Sequence, residues 1–594
     1  MKVKHCWWVW GQLMMSAFLL KAAGPDVPEP INPPLGPYIN LTDAHFTQSQ
    51  SFATNDRVVV TPFFYWYDVK SGAHLYNADG TDALTDHPAT LTNFSYTLPA
   101  WHKGELLDMM DAGIDIVLPV YWGEPSQRKL NQPVSSQPWS FAGLPPLVKA
   151  REELLLEGKR PPAIGLFYDT STLQYNAANR RIDLTTSEGW QWFYETVRDF
   201  YSLIPPKHWA MVGGQPVVFL YAAGFAARHD QSCIDFFRTS FRRDFGGRNP
   251  FLVREISWNV FSEGVYAWGG ALGLRNLGVA SLGPGYDHSA VPGRDPLVVP
   301  REQGQFFIRN WENFLRKPSL MVMIETWNEF HEGTDIAHSR EYGREYITLN
   351  RKYADLFKSG VSLPRLPGPY TDARLVSIDL DTTNREMGLV QREQADGATT
   401  VTNFVGWPCR VFAPTPHAGR YVYLKVDESF KWASTMDVQV TVDFFDAGPG
   451  TLRLQYDGSD IQAPFQGAYT SSPEVVALSG SRTWRKAVFT LKHARFLNLQ
   501  NGGTDFRIEC SRTGVGIRRI QMIRPGLALQ QFRREEGCAL RLYAAPGGNY
   551  SIESSSNLVQ WSEIARLSMS QTTMDYLDSS ASQEPSRFYR AQSH

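Results

Sequence analysis

Leu320-Met321-Val322-Met323-Ile324 runs directly into Glu325-Thr326-Trp327-Asn328-Glu329-Phe330-His331-Glu332-Gly333-Thr334, and this stretch decides the reading of the fold. Five apolar residues with no alternation suit a strand covered on both faces of a parallel sheet. Residues that follow such a strand sit where α/β barrels build their active sites. Glu329 and Glu332, three positions apart among aromatic neighbours, are therefore the leading acid/base pair.

Working outward, residues 57–358 alternate short apolar runs with helical stretches, the mark of repeated βα units. The strand candidates are Val58–Phe64, Ile114–Val120, Ala163–Phe167, Pro216–Tyr221, Pro250–Ile256, Gly264–Trp268, Val279–Leu282 and Leu320–Ile324. Gly104–Ala112, Trp190–Leu203, Gln303–Leu315 and Arg340–Phe357 read as helices between and after them. The expected fold class is α/β, a (β/α)8 TIM barrel with long loops.

At residues 359–373 closely spaced prolines and glycines forbid regular structure and mark a linker. Beyond it the period changes to two, as in Tyr421-Val422-Tyr423-Leu424-Lys425-Val426 and Val438-Gln439-Val440-Thr441-Val442-Asp443-Phe444. That predicts an antiparallel β-sandwich of jelly-roll type over 374–525 and a small all-β domain over 527–594. Trp432, Tyr456 and Trp484 are either sugar-stacking rings of a carbohydrate-binding module or core aromatics. Cys409 and Cys510 are either a staple across the sandwich or two buried thiols.

Composition narrows the function. With 58 basic and 60 acidic residues among 594, no extended field is available to hold nucleic acid or anionic lipid. Residues 1–23 read as an export signal: a basic start, then an apolar run to Leu20 that at about 15 residues is too short to span a bilayer. The expectation is a secreted or periplasmic protein with no membrane span in the mature chain. Aromatics make up 13% of residues, with 18 Trp, and sugar-binding clefts are commonly lined with flat rings.

The ends of the strand candidates fit that idea. They carry Tyr65-Trp66-Tyr67, Trp122, Tyr168-Asp169, Tyr221, Trp258, Trp268 and Tyr286-Asp287. Together with Asn328 and His331 these are the candidate substrate-binding residues for a polysaccharide or glycan. No cofactor is called for. A zinc-protease reading of His331-Glu332 fails because Asp335 stands where a second His is needed.

The segment Trp327-Asn328-Glu329-Phe330-His331-Glu332-Gly333-Thr334 resembles the Asn-Glu-Trp-His-Glu-Gly-Thr motif of the endo-α-mannosidases of glycoside hydrolase family 99. Gly283-Pro284-Gly285-Tyr286-Asp287 is similar to that family's Gly-Pro-Gly-Tyr segment, and Arg301-Glu302-Gln303-Gly304-Gln305-Phe306-Phe307 to its Arg-x-x-Gly-x-aromatic-aromatic helix start. The resemblance covers roughly residues 57–350 and implies a TIM barrel and glycosidic cleavage. It departs where Phe330 replaces a Trp, and where Ala290 and Pro292 stand in place of arginines; whether Arg294 takes over their role is left open.

The resemblance further implies roles. Glu332 is the general acid, and Glu329 the base that deprotonates the sugar's own 2-hydroxyl to give a 1,2-anhydro intermediate, opened by water with retention. Tyr286 and Asn328 are candidates to position the sugar or orient Glu329. The bland alternative for the pair is a solvated i, i+3 couple on a helix face. The alternatives for the protein are a carbohydrate-binding or adhesion protein on a barrel without catalysis, and an enzyme of polysaccharide assembly.

Overall fold

A computed structural model describes residues 35–594 apart from 126–138, 177, 295–296, 365–367, 372, 394, 413–420, 432–434, 513, 525–526, 535–536, 545–546, 571–572 and 584–586. The export signal read at 1–23 and Trp432 lie outside the described residues. The chain divides into two compact units, Met1–Pro364 and Arg365–His594.

The first unit is a mixed α/β structure. Its principal strands are β1 (Val58–Phe63), β2 (Ile116–Tyr121), β3 (Leu166–Tyr168), β4 (Gln215–Leu220), β5 (Phe251–Glu255), β6 (Gly264–Tyr266), β7 (Val279–Leu282) and β8 (Met321–Ile324). All pair in parallel, in the order β6-β5-β4-β3-β2-β1-β8-β7. The (β/α)8 expectation is thus met in strand sense and order but not in closure. Among the described residues no ladder joins β6 to β7, although a Cβ on Gly264 would meet Val279 Cγ2 at 3.0 Å.

Helices α1 (Pro99–Ala112), α2 (Leu144–Leu156), α3 (Ser187–Ser202), α4 (Gln231–Asp244), α5 (Gln305–Arg316) and α6 (Glu345–Lys358) connect or follow the strands. Two connections depart from the regular pattern. The chain passes from β5 to β6 without a helix, and from β6 to β7 through a single 3-10 turn, Gly270–Leu272, and a short strand, Arg275–Asn276, antiparallel to β7.

Local chemistry explains these elements. Every residue of β8 is buried, as a strand covered on both faces requires, whereas Leu320 before it is half exposed. In α5, Phe307, Asn310, Trp311, Phe314 and Leu315 are buried at i, i+3, i+4, i+7 and i+8, one helical face. Gly304, at φ +81, turns the chain into that helix, a conformation that costs glycine little. Helix α1 opens with Pro99 and stops at Gly113 in the left-handed region.

The second unit holds two antiparallel sheets around one core, as the period-two pattern predicts. Val438, Val440, Val442 and Phe444 of one sheet and Val422, Leu424 and Val426 of the other point into it. Tyr456 is also in this core, its hydroxyl donating to the Lys492 carbonyl at 2.8 Å, while Trp484 packs edge-on to Phe445. Cys409 and Cys510 are buried thiols on different sheets with no disulfide between them. Two three-stranded sheets occupy the end of the chain.

Candidate active site

Because the eight principal strands of the first unit are parallel, their C-terminal ends share one edge, and the segment after β8 folds back across it. Thr326 N donates to the Thr334 carbonyl at 2.8 Å and their hydroxyls meet at 2.9 Å, closing a loop. Trp327 N donates to the Pro62 carbonyl at 3.0 Å, anchoring the loop to β1. The Asn328 carboxamide is spent on Phe64, accepting from its N–H at 2.8 Å and donating to its carbonyl at 2.9 Å. It therefore shapes the loop, and the side chain is fully buried in doing so.

Within this loop Phe330–Glu332 form one 3-10 turn with Glu329 as its N-cap. Glu329 is 2% exposed and Glu332 7%. That excludes a solvated pair on a helix face. Glu329 Oε1 accepts from His331 N at 3.2 Å and meets His331 Nδ1 at 2.7 Å. Its Oε2 is buried with no hydrogen-bond partner among the described residues. Burial raises the Glu329 carboxyl above the usual range, opposed by His331 and reinforced by the charge of Glu332. Glu332 Oε1 accepts from Arg294 Nη1 at 2.6 Å.

Aromatic rings enclose the pair. His331 stacks on Tyr67 at 5.7 Å between centroids and meets the edge of Trp66 at 5.5 Å. Trp66 lies flat on His74 at 4.5 Å and edge-on to Trp122 at 5.6 Å. Burial holds His74 down at about 3, so its ring is neutral. The Tyr67 hydroxyl donates to the Asn328 carbonyl at 3.0 Å and accepts from Phe330 N at 3.2 Å, pinning the turn. Tyr221 and Tyr286 both lie within electrostatic reach of Glu332, and Trp268 packs on Tyr221 at 5.4 Å. Tyr286 shares a hydrogen bond of 3.0 Å with His288 Nδ1.

Not every sequence candidate joins this group. Tyr168 packs on Phe193 of α3, and Trp258 packs on Phe193 and His229 with its indole N–H bonded to the Tyr221 carbonyl. Tyr65 donates to the Ser140 carbonyl and packs on Trp139. The Asp287 carboxylate accepts from the backbone and hydroxyl of Ser289, closing its own turn. These four side chains are committed to packing or turns.

Asp169, 1% exposed, is the third carboxylate of the site, and its charge reaches Tyr221. Its Oδ1 accepts from Ser171 N at 3.0 Å. Burial pushes it up to about 6, with Ser171 and Trp122 pulling the other way. An unfolded aspartate titrates near about 3.9. The stabilising contribution is thus complete below about pH 4 and lost as pH rises to about 6, since only the unfolded chain takes the charge freely. Asp169→Asn should melt like the wild type near about pH 4 and more stably, by about 2 to 3 kcal/mol, above about pH 7. A difference that stays constant between those conditions would rule out this origin.

Several important residues were not site candidates from sequence, although Glu325 reads there as structural at the barrel end or as a partner behind the site. Glu325 is buried, pushed up to about 7 by burial, and tied to the Ser281 hydroxyl and to Gly269 N at 2.9 Å, a structural carboxylate at the end of β8. Glu105 of α1 receives the Trp327 indole N–H at 2.5 Å. Arg301, a member of the quoted helix-start motif, grips the loop after β8 through Asp335 and Gly333. In each case the partner is remote in sequence, and only Arg301 stood in a recognisable motif.

Among known proteins, a family model described as "Domain of unknown function (DUF5010)" matches residues 49–363. No curated protein matches. Among solved structures, the GH99 endo-α-mannosidase from Bacteroides thetaiotaomicron is similar at 13% identity with a TM-score of 0.37, covering 52% of this chain and 99% of that one. The C-terminal CBM6 of LamC from Zobellia galactanivorans is similar at 9% identity and a TM-score of 0.15, covering 25% of this chain and 98% of that one. A family 29 carbohydrate-binding module from Piromyces equi is similar at 11% identity and a TM-score of 0.16, covering 25% and 91% respectively. No helix among the described residues is long and apolar enough to cross a membrane. The family match extends over more than half of the chain, and the protein belongs to the DUF5010 family.

Proposed function

We propose that this protein is an exported glycoside hydrolase whose barrel-like domain, residues 57–358, cleaves a polysaccharide or glycan within the chain and with retention. The observation that carries the reading is the Glu329–Glu332 turn, two buried carboxylates in a shell of rings, one of them with an oxygen awaiting a partner. Glycosidic cleavage needs one carboxyl group to protonate the leaving oxygen and a second to act as base or nucleophile. In this reading Glu329 Oε2 takes a proton from a sugar hydroxyl, and the support for it is the His331 contact that holds Oε1 at 2.7 Å. Glu332 acts as the acid once Arg294 leaves it. Trp66, Tyr221, Trp268 and Tyr286 supply the apolar and hydroxyl contacts to the sugar, with the buried Tyr67 and Trp122 packed behind them.

The sandwich over 374–525 serves as an accessory module, and the 527–594 segment as a small β domain. Residues 1–23 direct export. The test is incubation of the mature protein with α-mannans and with bacterial, algal and host glycans, followed by chromatography of released oligosaccharides. Release of internal fragments with retained anomeric configuration supports the reading. Binding without release would replace it with a carbohydrate-binding protein.

A further inference from the structure

The proposed acid is not at liberty to act. Arg294 Nη1 lies 2.6 Å from Glu332 Oε1, and each side chain is 9% exposed. A carboxylate that holds a guanidinium accepts hydrogen bonds; to donate a proton it must first lose its cation. Pulling a buried arginine from the one carboxylate it is paired with among the described residues costs several kcal/mol unless another anion replaces it. The neighbouring carboxylates are committed elsewhere: Asp86 and Asp335 to Arg301, Glu325 to Ser281 and Gly269, and Glu329 to His331.

The guanidinium itself is under-used. An arginine fork offers parallel N–H bonds that match a carboxylate or sulfate. Here Nη1 is on Glu332, while Nε is buried with no partner among the described residues. Arg294 also sits within electrostatic reach of Tyr286, a proposed sugar contact.

Resting on the hydrolase reading, we propose that the glycan is acidic, and that a uronate carboxylate or sulfate ester on it takes the Arg294 fork from Glu332. The exchange balances charge: one anion replaces another on Arg294, and Glu332, released as a carboxylate, takes a proton from solvent and passes it to the glycosidic oxygen. Of the other ionisable groups of the site, Glu329 and Asp169 are carboxylates and His331 is held by Glu329. Acceptance of an anionic sugar therefore rests on Arg294, which becomes the residue that sets specificity.

Calorimetric titration tests this without relying on turnover. The probes are oligosaccharides from polyuronate and from sulfated polysaccharides, each beside the same preparation after carboxyl reduction or desulfation. Glu332→Gln removes the competing anion and should bind the acidic probe at least tenfold more tightly than wild type, with neutral counterparts unchanged. Adding Arg294→Gln should cost at least a hundredfold on the acidic probe alone. Arg294→Lys, which keeps the charge without the fork, should fall between and stands in if the Gln variant does not fold. The chemical treatment that abolishes the gain identifies the anion as carboxylate or sulfate. Equal affinity of Glu332→Gln for acidic and neutral probes, or retention of acidic binding without Arg294, overturns the proposal. Arg294-dependent acidic binding with no released fragments would instead overturn the hydrolase reading and leave this one standing.

Discussion

Glu329→Gln and Glu332→Gln should each lower turnover on the cleaved glycan by about a thousandfold or more, the usual worth of a positioned acid or base, while leaving the fold intact. Glutamine keeps the volume and one acceptor oxygen, so Oε1 of residue 329 still meets His331 and the turn survives. What is lost is the ability to take or give a proton. The two variants should differ in rescue. A substrate with an activated leaving group needs no protonation, so Glu332→Gln should recover most of its rate on an aryl glycoside, whereas Glu329→Gln should not. Rescue in the opposite sense would exchange the two roles.

Arg301→Ala should destabilise the first unit by about 3 to 5 kcal/mol, measured as a shift in denaturant midpoint. The guanidinium meets Asp86 Oδ2 at 2.7 Å, Asp335 Oδ1 at 2.9 Å, and the carbonyls of Asp335 and Gly333 at 2.8 and 3.1 Å. It lies over the rings of Tyr342 and Tyr346, with ring centroids 4.2 and 4.7 Å away. Without it the negative charge carried by the buried Asp86–Asp335 pair is left uncompensated. Burial already holds Asp335 well above the usual carboxylate range with the arginine present. Arg301→Lys should recover little, since an ammonium cannot span acceptors on both sides of a planar fork. Arg301→Met combined with Asp86→Asn and Asp335→Asn should recover most of the loss, because the desolvated charges go together. A wild-type midpoint for Arg301→Ala would show that the clamp does not hold the loop.

The strands and their sense were legible in the sequence because buried parallel strands are written as unbroken apolar runs. β8 is the clearest example, all four of its residues buried. Which aromatic faces the site was not legible. Tyr67 and Tyr168 both follow a strand and both are fully buried, yet one stacks on His331 and the other packs on α3. Burial makes the two environments alike to any reading of hydrophobicity, and only the pleat and local turns separate them. Asn328, in the motif after β8, reads as a residue that positions the sugar or orients Glu329. Its actual partner, Phe64, is 264 positions away, and no local pattern encodes that pairing. The Arg294–Glu332 pair belongs to the same class, since it forms only once β7 and β8 lie side by side.

The missing ladder between β6 and β7 has a thermodynamic consequence. β8 is laced on both sides, to β7 and to β1, so its amides exchange with solvent only when the whole unit comes apart. Among the described residues β6 is laced only to β5, and a strand paired on one side opens locally at lower cost than one paired on both. The stability of this unit is therefore graded around its circumference: firmest beneath the Glu329–Glu332 turn and weakest along the β6–β7 seam. A scaffold graded in this way can hold the Glu329–Glu332 turn still while its free edge at β6 opens and closes.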